Sequence, residues 1–385
     1  MSKKISIVFL LDKLAFGGTP LQVLELALHL DAEKFRRQFV VLAQAAPELV
    51  QRLANSGITC ELIGRDNWVK LGACREARKL YEAFKRIQPD LIHAFLPTSN
   101  VLGALLGKWA SVPVRISSHR DLGGFDGAGI TRMNNWVDRH LVQCVTANSE
   151  AVRQAVLART KLPTERVRVL YNGVDMEKLQ RANRGRAKRQ ELGLGAEELL
   201  VAVVANIRPA KGHREALSAF LQMAKRFPNS RLLLCGYVAD TALFHELQQT
   251  VAAAHAEHQV CFMDSRKDIP EIMHAIDILL APSFSEGFSN AILEAMAAGK
   301  PVLASAVGGN REQIVNEVTG YLTPPGDSAA LARALLTLAA APERRRQMGE
   351  AAAARTQEKF SVQAMTAAHA RLYEELLSSR NQKKQ

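Results

Sequence analysis

Residues 282–301 read PSFSEGFSNAILEAMAAGKP and decide the fold of the second half of the chain. They follow the apolar run Ile278–Leu280, which predicts a buried strand. A turn containing Gly287 comes next, and then a short apolar helix. The helix is predicted to end at Gly299, because glycine with Pro301 close behind is a common helix stop. The stretch therefore predicts one strand–turn–helix unit of a parallel α/β sheet.

The start of this helix predicts an anion site. Ser289 is a good N-cap, which leaves the peptide N–H groups of residues 290–292 without intrahelical partners. Those donors and the helix dipole favour a phosphate. The predicted site comprises the turn and the first helical residue, namely Gly287, Phe288, Ser289 and Asn290.

Two carboxylates flank the predicted phosphate site. Glu286 precedes the helix and Glu294 lies about one turn inside it. Each would repel a phosphate but can accept hydroxyl hydrogen bonds, which suits a ribose diol at one end and a sugar at the other. Their spacing at helical rise is roughly 12 Å, comparable to a ribose–diphosphate–sugar unit. The alternative is an ordinary solvent-facing pair of glutamates.

The pattern Glu-x7-Glu within residues 282–301, continued by Gly-Gly-Asn-Arg-Glu at residues 308–312, resembles the retaining GT-B glycosyltransferases of family GT4. The likeness extends over more than a dozen positions. It implies an α/β fold of two Rossmann-like doubly wound domains that face each other across a cleft. It also implies a C-terminal helix that crosses back to the first domain.

The chain of 385 residues has the length of two domains, and 48% hydrophobic with 23% charged residues is typical of a globular protein. Short β-rich runs alternate with amphipathic stretches in both halves, which predicts a parallel sheet in each. We predict an acceptor-binding domain over residues 1–175, joined by a helix in 361–385, and a nucleotide-sugar-binding domain over 176–360. The junction is predicted near residues 172–189, where a turn signal at 172–175 is followed by the charged, poorly apolar run 181–189.

The predicted strands are Ile5–Leu11, Phe39–Ala43, Thr59–Ile63, Leu91–Phe95, Val114–His119, Cys144–Ala147, Val167–Tyr171, Leu199–Ile207, Arg231–Gly236, Val260–Met263, Ile278–Ala281, Pro301–Ser305 and Gly320–Leu322. No Gly-x-Gly-x-x-Gly follows the first strand, so a nicotinamide-dependent oxidoreductase is disfavoured.

Two loops after strands carry further candidates for the donor site. Gly17 and Gly18 open a helix, with Thr19 predicted as its N-cap and Pro20 as its first residue. The resemblance implies that this loop lies against the donor diphosphate and the acceptor. A plain tight turn explains the same spacing. Arg208 and Lys211 follow a predicted strand in the second half, and the resemblance implies that they bind the diphosphate; alone, they would be common surface cations.

The resemblance also implies two residues at other strand ends. His119 closes a predicted strand and corresponds to a polar residue that touches the transferred sugar in relatives. A histidine at a strand end is otherwise more often structural. Arg266 lies in a charged turn that corresponds to the loop holding the nucleotide base, although such turns are usually just solvated.

No metal or other cofactor is expected. The chain contains no Asp-x-Asp and no Cys/His metal spacing, so cationic groups are predicted to replace a divalent ion at the diphosphate. The net charge of +12 favours an acidic partner, and nucleic acid is the weaker choice because no DNA- or RNA-binding motif accompanies the charge. We expect a cytoplasmic protein, since the first apolar run is too short for a signal peptide or a membrane span.

One predicted helix of the first half carries a row of basic residues, near Trp68, Lys70 and Trp109, namely Arg75, Arg78, Lys79, Lys85 and Arg86. Such a row is usually a solvated face, and the alternative is peripheral contact with an anionic membrane.

The resulting hypothesis is a retaining glycosyltransferase that uses a nucleotide-sugar. Glu294 would hold the ribose, while Glu286 and His119 would position the transferred sugar. A UDP-sugar is favoured as donor and GDP-mannose is left open, with a glycan or lipid-linked acceptor in cell-envelope polysaccharide or glycolipid synthesis. The alternatives are a nucleotide-sugar epimerase of the same architecture, which needs no acceptor, and a non-catalytic basic surface-binding protein.

Overall fold

The protein is described from a computed structural model, and the description covers residues 4–64, 74–123, 127–195 and 197–382. The described residues form two compact units. Unit 1 is drawn from Met1–Gly173 and Val362–Gln385, and unit 2 is Val174–Ser361. The predicted boundary after residue 175 lies two residues beyond the first division.

Unit 1 is built on a parallel sheet of seven strands, β1 (Ile5–Leu11), β2 (Phe35–Val41), β3 (Thr59–Leu62), β4 (Leu91–Phe95), β5 (Val114–His119), β6 (Cys144–Ala147) and β7 (Val167–Val169). Their order is β3-β2-β1-β4-β5-β6-β7. The central strands β1 and β4 are almost wholly buried because helices cover both faces of the sheet. The order reverses between β1 and β4, and ligands of such sheets bind beyond the carboxyl ends at this reversal.

Unit 2 has a parallel sheet of six strands, β8 (Leu199–Val204), β9 (Ser230–Cys235), β10 (Val260–Met263), β11 (Ile278–Ala281), β12 (Val302–Ser305) and β13 (Gly320–Thr323). Their order is β10-β9-β8-β11-β12-β13, so the reversal lies between β8 and β11. The loop after β8 carries Arg208 and Lys211, and the loop after β11 carries Glu286. The topology therefore brings these two loops to the same edge of the sheet.

The helices of the described residues are α1 (Gly18–His29), α2 (Pro47–Asn55), α3 (Cys74–Ile87), α4 (Pro97–Trp109), α5 (Ala128–His140), α6 (Glu150–Thr160), α7 (Met176–Arg181), α8 (Gly185–Glu191), α9 (His213–Ala224), α10 (Thr241–Ala253), α11 (Ile269–Ala275), α12 (Asn290–Ala297), α13 (Asn310–Gln313), α14 (Ser328–Ala340), α15 (Pro342–Lys359) and α16 (Val362–Gln382). Within the ranges described, none of them is apolar over enough residues to cross a bilayer.

The division between Gly173 and Val174 lies inside the junction predicted near residues 172–189, but the charged run 181–189 is not a linker. This run comprises the end of α7, the short connection 182–184 and most of α8 in unit 2, and the Lys188 side chain is only 4% exposed. Its Nζ lies 2.6 Å from Asp268 Oδ2 and 2.5 Å from Glu191 Oε2. The guanidinium of Arg189 donates to Asp277 Oδ2 at 3.1 Å. Basic residues that suggested a solvated linker are thus paired with acids and form part of the fold.

Helix α16 packs on unit 1, as the resemblance implied. Tyr373 is fully buried and its hydroxyl lies 2.8 Å from His93 Nδ1 on β4. The Tyr373 ring meets Phe35 at the start of β2 edge-on, with 6.3 Å between centroids. Val362 and Met365 of the same helix join the core cluster around β1 and β2. Helix α16 therefore forms part of the hydrophobic core of unit 1, together with residues from the first 173 positions.

Helices α3, α4 and α5 lie side by side in unit 1. The basic residues predicted on α3 are all exposed, although Arg78 pairs with Glu82 and Arg86 pairs with Glu61. Trp109 at the end of α4 is 68% exposed, and Trp136 on α5 is 50% exposed. Trp68 and Lys70, which were predicted to join this surface, lie outside the described residues.

Candidate active site

Helix α12 begins in the turn that follows β11. Ser289 is its N-cap, and Ser289 Oγ accepts a hydrogen bond from the N–H of Ile292 at 3.4 Å. The predicted cap is confirmed, but it occupies one of the three N–H groups that we assigned to an anion. The N–H of Ile292 is therefore not available to the predicted anion.

A fully buried glutamine holds the backbone of this turn. Gln313 Oε1 accepts from the N–H of Ser289 at 3.0 Å, and Gln313 Nε2 donates to the Ser289 carbonyl at 2.8 Å. Both backbone groups of the cap are therefore fixed by one side chain. Sequence analysis missed Gln313, although it directly follows the Gly-Gly-Asn-Arg-Glu motif that was quoted for the family.

The turn is also packed tightly against the loop after β12. A Cβ on Gly309 would lie 2.3 Å from the Gly287 carbonyl oxygen and 2.9 Å from the Phe288 ring, so no side chain fits there. Phe288 is 5% exposed, and its ring lies 5.4 Å from that of Phe360. The Phe288 side chain is therefore part of the packing of this turn.

An ion pair joins the two loops at the reversal of the unit 2 sheet. Lys211 Nζ lies 2.5 Å from Glu286 Oε2, and the two side chains are 16% and 15% exposed. Ser283 Oγ donates to the same carboxylate oxygen at 3.4 Å. The cation predicted for a phosphate and the carboxylate predicted for a sugar are thus adjacent, as a sugar–phosphate linkage requires.

Backbone packing brings these loops together. The N–H of Phe284 donates to the carbonyl of Ala210 at 2.9 Å. Gly212 has φ of 69°, and a Cβ there would lie 2.0 Å from the Pro282 carbonyl oxygen. Both the positive φ and the close approach require glycine at this position. The glycine that follows Lys211 is therefore explained by its close contact with the loop after β11.

Glu294 lies in the middle of α12 and is partly buried. Burial raises the pKa of its carboxyl group to about 7, while the nearby charge of Lys178 on α7 acts in the opposite direction. Burial disfavours the charged form because the carboxylate loses water that the protein does not replace. A ligand with hydroxyl groups would supply the missing donors.

The two predicted arginines occupy different surroundings. Arg208 is exposed and lies just before the short 3-10 turn Pro209–Lys211. Arg266 donates to both carboxylate oxygens of Asp268, at 2.8 and 2.7 Å, and this pairing raises the pKa of its guanidinium. Its loop follows β10, three strand positions or about 14 Å from β11. Contact with a base through the Arg266 side chain would have to share the Asp268 pair.

The predicted start of α1 in unit 1 is wrong by two residues. Gly17 is the N-cap, Gly18 is the first helical residue, and the N–H of Leu21 closes the first turn on the Gly17 carbonyl at 3.2 Å. Thr19 and Pro20 therefore lie inside the first turn. Gly17 has an extended backbone, and a Cβ there would meet only the Pro20 ring at 4.0 Å. Both glycines are exposed, so ligand access remains the reason proposed for them.

His119 ends β5 and is held on both sides. Arg159 Nη2 donates to His119 Nδ1 at 2.7 Å, and His119 Nε2 lies 2.8 Å from the buried carboxylate of Asp138. Because arginine only donates, Nδ1 must be the acceptor and Nε2 must carry the proton. A sugar hydroxyl could reach either ring nitrogen only by sharing or displacing one of these bonds. Asp138 and Arg159 were missed by sequence analysis because they are distant in the chain.

Comparison with known proteins agrees with this architecture. The family model for glycosyl transferases group 1 matches residues 185–355, and the model for Glycosyltransferase Family 4 matches residues 16–178. N-acetyl-alpha-D-glucosaminyl L-malate synthase of Bacillus anthracis is 27% identical over 306 residues, which is 78% of each chain. The Escherichia coli UDP-Gal:alpha-D-GlcNAc-diphosphoundecaprenol alpha-1,3-galactosyltransferase is 25% identical over 271 residues, which is 67% of this chain and 68% of that protein.

Among solved structures, Anabaena HepE in complex with UDP and glucose superimposes with a TM-score of 0.85 at 25% identity. The match covers 96% of this chain and 100% of HepE. The two sheets and the two family models define a glycosyltransferase of the GT-B fold. The chain belongs to the GT4 type of these enzymes, which act on nucleotide sugars.

Proposed function

We propose that the protein transfers a hexose or N-acetylhexosamine from a UDP-sugar to a glycan or lipid-linked acceptor, with retention of configuration and without a metal ion. The observation that carries this proposal is the Lys211–Glu286 pair, 2.5 Å apart, at the sheet reversal of unit 2 and beside the start of α12. One site there offers a cation, helix N–H groups and a carboxylate.

Each group has a role that follows from its chemistry. Lys211, Arg208 and the first N–H groups of α12 would stabilise the departing diphosphate, where negative charge grows in the transition state. Glu286 would position the transferred sugar, and His119 of unit 1 is proposed for the same task. Glu294 would accept the ribose hydroxyls.

The proposed route to retention is departure of the diphosphate from the face that the acceptor attacks. The anomeric carbon loses its bond to the diphosphate oxygen and gains one to the acceptor oxygen, and the diphosphate takes the acceptor proton. Retaining enzymes that work through a covalent intermediate hold two carboxyl groups about 5 Å apart. We infer the front-face route because the carboxylate of Glu286 already pairs with Lys211 rather than with a second acid.

Uridine as the base is supported by relatives. HepE has been crystallised with UDP and with UDP-glucose, and the Escherichia coli relative is named for UDP-Gal. GDP-mannose remains the main competing donor and is included in the test below.

A lipid-linked or other cell-envelope acceptor is supported by the Escherichia coli relative, whose name gives a diphosphoundecaprenol acceptor.

We propose that unit 1 contacts an anionic membrane through α3 and the neighbouring Trp109 and Trp136. Basic side chains beside exposed indoles suit the headgroup region. Sedimentation with phosphatidylglycerol vesicles should be lost in the Trp109→Ser, Trp136→Ser double variant. Binding that is equal to wild type would contradict the membrane contact.

A thermal-shift panel of nucleotide-sugars, repeated on Glu294→Ala, tests the donor and its site. Stabilisation by one UDP-sugar that disappears in the variant is the expected result. Stabilisation by GDP-mannose alone would overturn the choice of uridine. Equal stabilisation of wild type and variant would remove Glu294 from the site. Incubation with donor alone separates a transferase from an epimerase, because only an epimerase converts the sugar without an acceptor.

A further inference from the structure

A second pocket lies wholly within unit 1, at the carboxyl ends of β4 and β5. Its lining includes Asn100, His119, Arg120, Asn134, Asn135 and Arg159. All of these residues lie in unit 1, and His119 alone among them also has a proposed role, that of positioning the transferred sugar. The burial of two polar groups in this pocket costs free energy unless a ligand binds them. They are a partly buried guanidinium and a buried amide oxygen.

The guanidinium is that of Arg120. Its contacts among the described residues are a hydrogen bond to Asn172 Oδ1 and the ring of Phe95, whose centroid lies 5.8 Å from the guanidinium carbon. Both partners are uncharged, and burial lowers the pKa of the Arg120 guanidinium to about 10. A charge that is removed from water without an ionic partner is strongly disfavoured, so the site favours an anion.

The amide oxygen is that of Asn134, a residue that is 4% exposed. Asn134 Nδ2 donates to the carbonyls of Pro97 and Ile130, at 3.1 and 3.0 Å, which settles the orientation of the amide. Its Oδ1 is buried and accepts no hydrogen bond from any described residue. Asn135 also lines the pocket, and its Oδ1 is likewise buried and accepts no hydrogen bond from any described residue. Among the described residues no donor reaches these oxygens, and a hydroxyl group of a ligand would satisfy them.

The acidic residues nearby do not cancel the charge of Arg120. Asp138 is fully buried and is bound by Ser117 Oγ at 2.5 Å and by His119. Asp121 lines the pocket, and its Oδ1 accepts from the N–H of Gly123 at 2.8 Å. Arg159, which holds His119, adds a second guanidinium to the lining. Among the residues that the structure describes around this pocket, two arginines therefore share the lining with one carboxylate, that of Asp121.

The volume of the pocket limits what can enter. It is about 40 Å³, which is room for a few atoms beyond a single water molecule. A phosphate or carboxylate group with its neighbouring hydroxyl fits that space, and a whole sugar ring does not. The pocket is therefore suited to one end of a larger molecule.

We propose that this pocket binds the anionic group of the acceptor, a phosphate or carboxylate with an adjacent hydroxyl, with Arg120 contacting the anion and the side-chain oxygens of Asn134 and Asn135 accepting from the hydroxyl. The assignment to the acceptor rests on the proposed function. The binding itself does not, because every residue involved lies in unit 1 and no nucleotide is needed.

The test is titration of the 385-residue chain with glucose 6-phosphate, glucose or inorganic phosphate, measured by calorimetry without any nucleotide. Wild type should bind glucose 6-phosphate more tightly than inorganic phosphate, and glucose should not bind. Arg120→Met should weaken glucose 6-phosphate binding at least about tenfold, while Asn135→Ala should weaken it without changing the affinity for inorganic phosphate. Arg333→Met, which removes an exposed arginine of unit 2, is the matched control and should bind as wild type does.

Vesicles that contain phosphatidylglycerol form a second arm and distinguish the source of the phosphate. Binding of vesicles that depends on Arg120, without binding of glucose 6-phosphate, would place the anion on a lipid headgroup. Circular dichroism of Arg120→Met shows whether this variant is folded. Arg120→Lys keeps the charge and should retain part of the binding. If wild type and a folded Arg120→Met bind both probes equally, or if neither probe binds wild type, the proposal is overturned. Sugar transfer from a nucleotide-sugar by wild type would still stand in that case.

Discussion

Glu294 makes the stability of unit 2 depend on pH in a direction that its pKa determines. Burial raises this pKa from 4.5 to about 7, so the folded carboxyl holds a proton that the unfolded chain has already released. The stabilising contribution is complete below pH 4.5 and is lost as the pH rises through 7. Glu294→Gln should therefore gain stability over wild type with rising pH, by up to about 3 kcal/mol at roughly 1.4 kcal/mol per pKa unit.

Urea unfolding of both proteins between pH 5 and pH 8 measures this difference. A bound nucleotide should reduce it, because ribose hydroxyls would solvate the ionised carboxylate. A difference that stays constant over this range would mean that the Glu294 carboxyl titrates in the folded protein as it does in the unfolded chain.

The contributions of the Lys211–Glu286 pair to stability and to turnover can be measured separately. Lys211→Met leaves the mostly buried Glu286 carboxylate without its cation, at a cost of about 2 kcal/mol. Turnover should fall by about 10²–10³-fold if Lys211 stabilises the leaving diphosphate. Adding Glu286→Gln should restore part of the stability and none of the turnover. The exposed Lys225→Met serves as the control, and a Lys211→Met variant that turns over as fast as this control would rule out the proposed role.

At the scale of elements, the turn before α12 depends on a side chain from α13. Gln313→Ala removes both hydrogen bonds to the Ser289 backbone and should cost about 1–3 kcal/mol. Because the first N–H groups of α12 then lose their fixed direction, the KM for the donor should rise about tenfold. Ser289→Ala removes only the cap and should cost about 1 kcal/mol.

Steady-state kinetics and urea unfolding of the two variants, beside the exposed Gln347→Ala, provide this comparison. A Gln313→Ala enzyme with an unchanged KM would show that the turn keeps its geometry without the glutamine.

How far the sequence predicted each element depended on where its contacts lie. Strands β1, β4 and β11 have the predicted ends because each is a mostly apolar run that directly follows a charged residue, Lys4, Asp90 or Asp277. Strand β2 begins four residues before the predicted Phe39, because Arg36 and Arg37 extend it and their guanidinium groups bond to Ser6 Oγ and to the carbonyls of Ala27 and Leu30. Those partners are distant in the chain, so local hydrophobicity does not reveal them.

Some residues of the candidate site could likewise be predicted from the sequence, and others could not. The turn and cap of α12 could be predicted because a capping residue bonds within its own first turn. Gln313, Asp138 and Arg159 could not, since each acts on a residue 19 to 40 positions away and belongs to another element. The role of Lys188 was hidden for the same reason, because its partner Asp268 is 80 residues distant.

For the whole molecule, the two units should respond separately to damage in either one. Tyr373→Ala removes a fully buried ring and leaves His93 Nδ1 without its hydroxyl partner, so unit 1 should lose about 3–5 kcal/mol. The side chains proposed to bind the nucleotide, Arg208, Lys211 and Glu294, lie in unit 2, and only the predicted diphosphate contact of Gly17 and Gly18 lies in unit 1. Hydrogen exchange of Tyr373→Ala should therefore become faster in β1, β2 and β4, while UDP still slows exchange around α12. If UDP no longer protects α12 in this variant, nucleotide binding requires an intact unit 1, and the confinement of the nucleotide site to unit 2 is wrong.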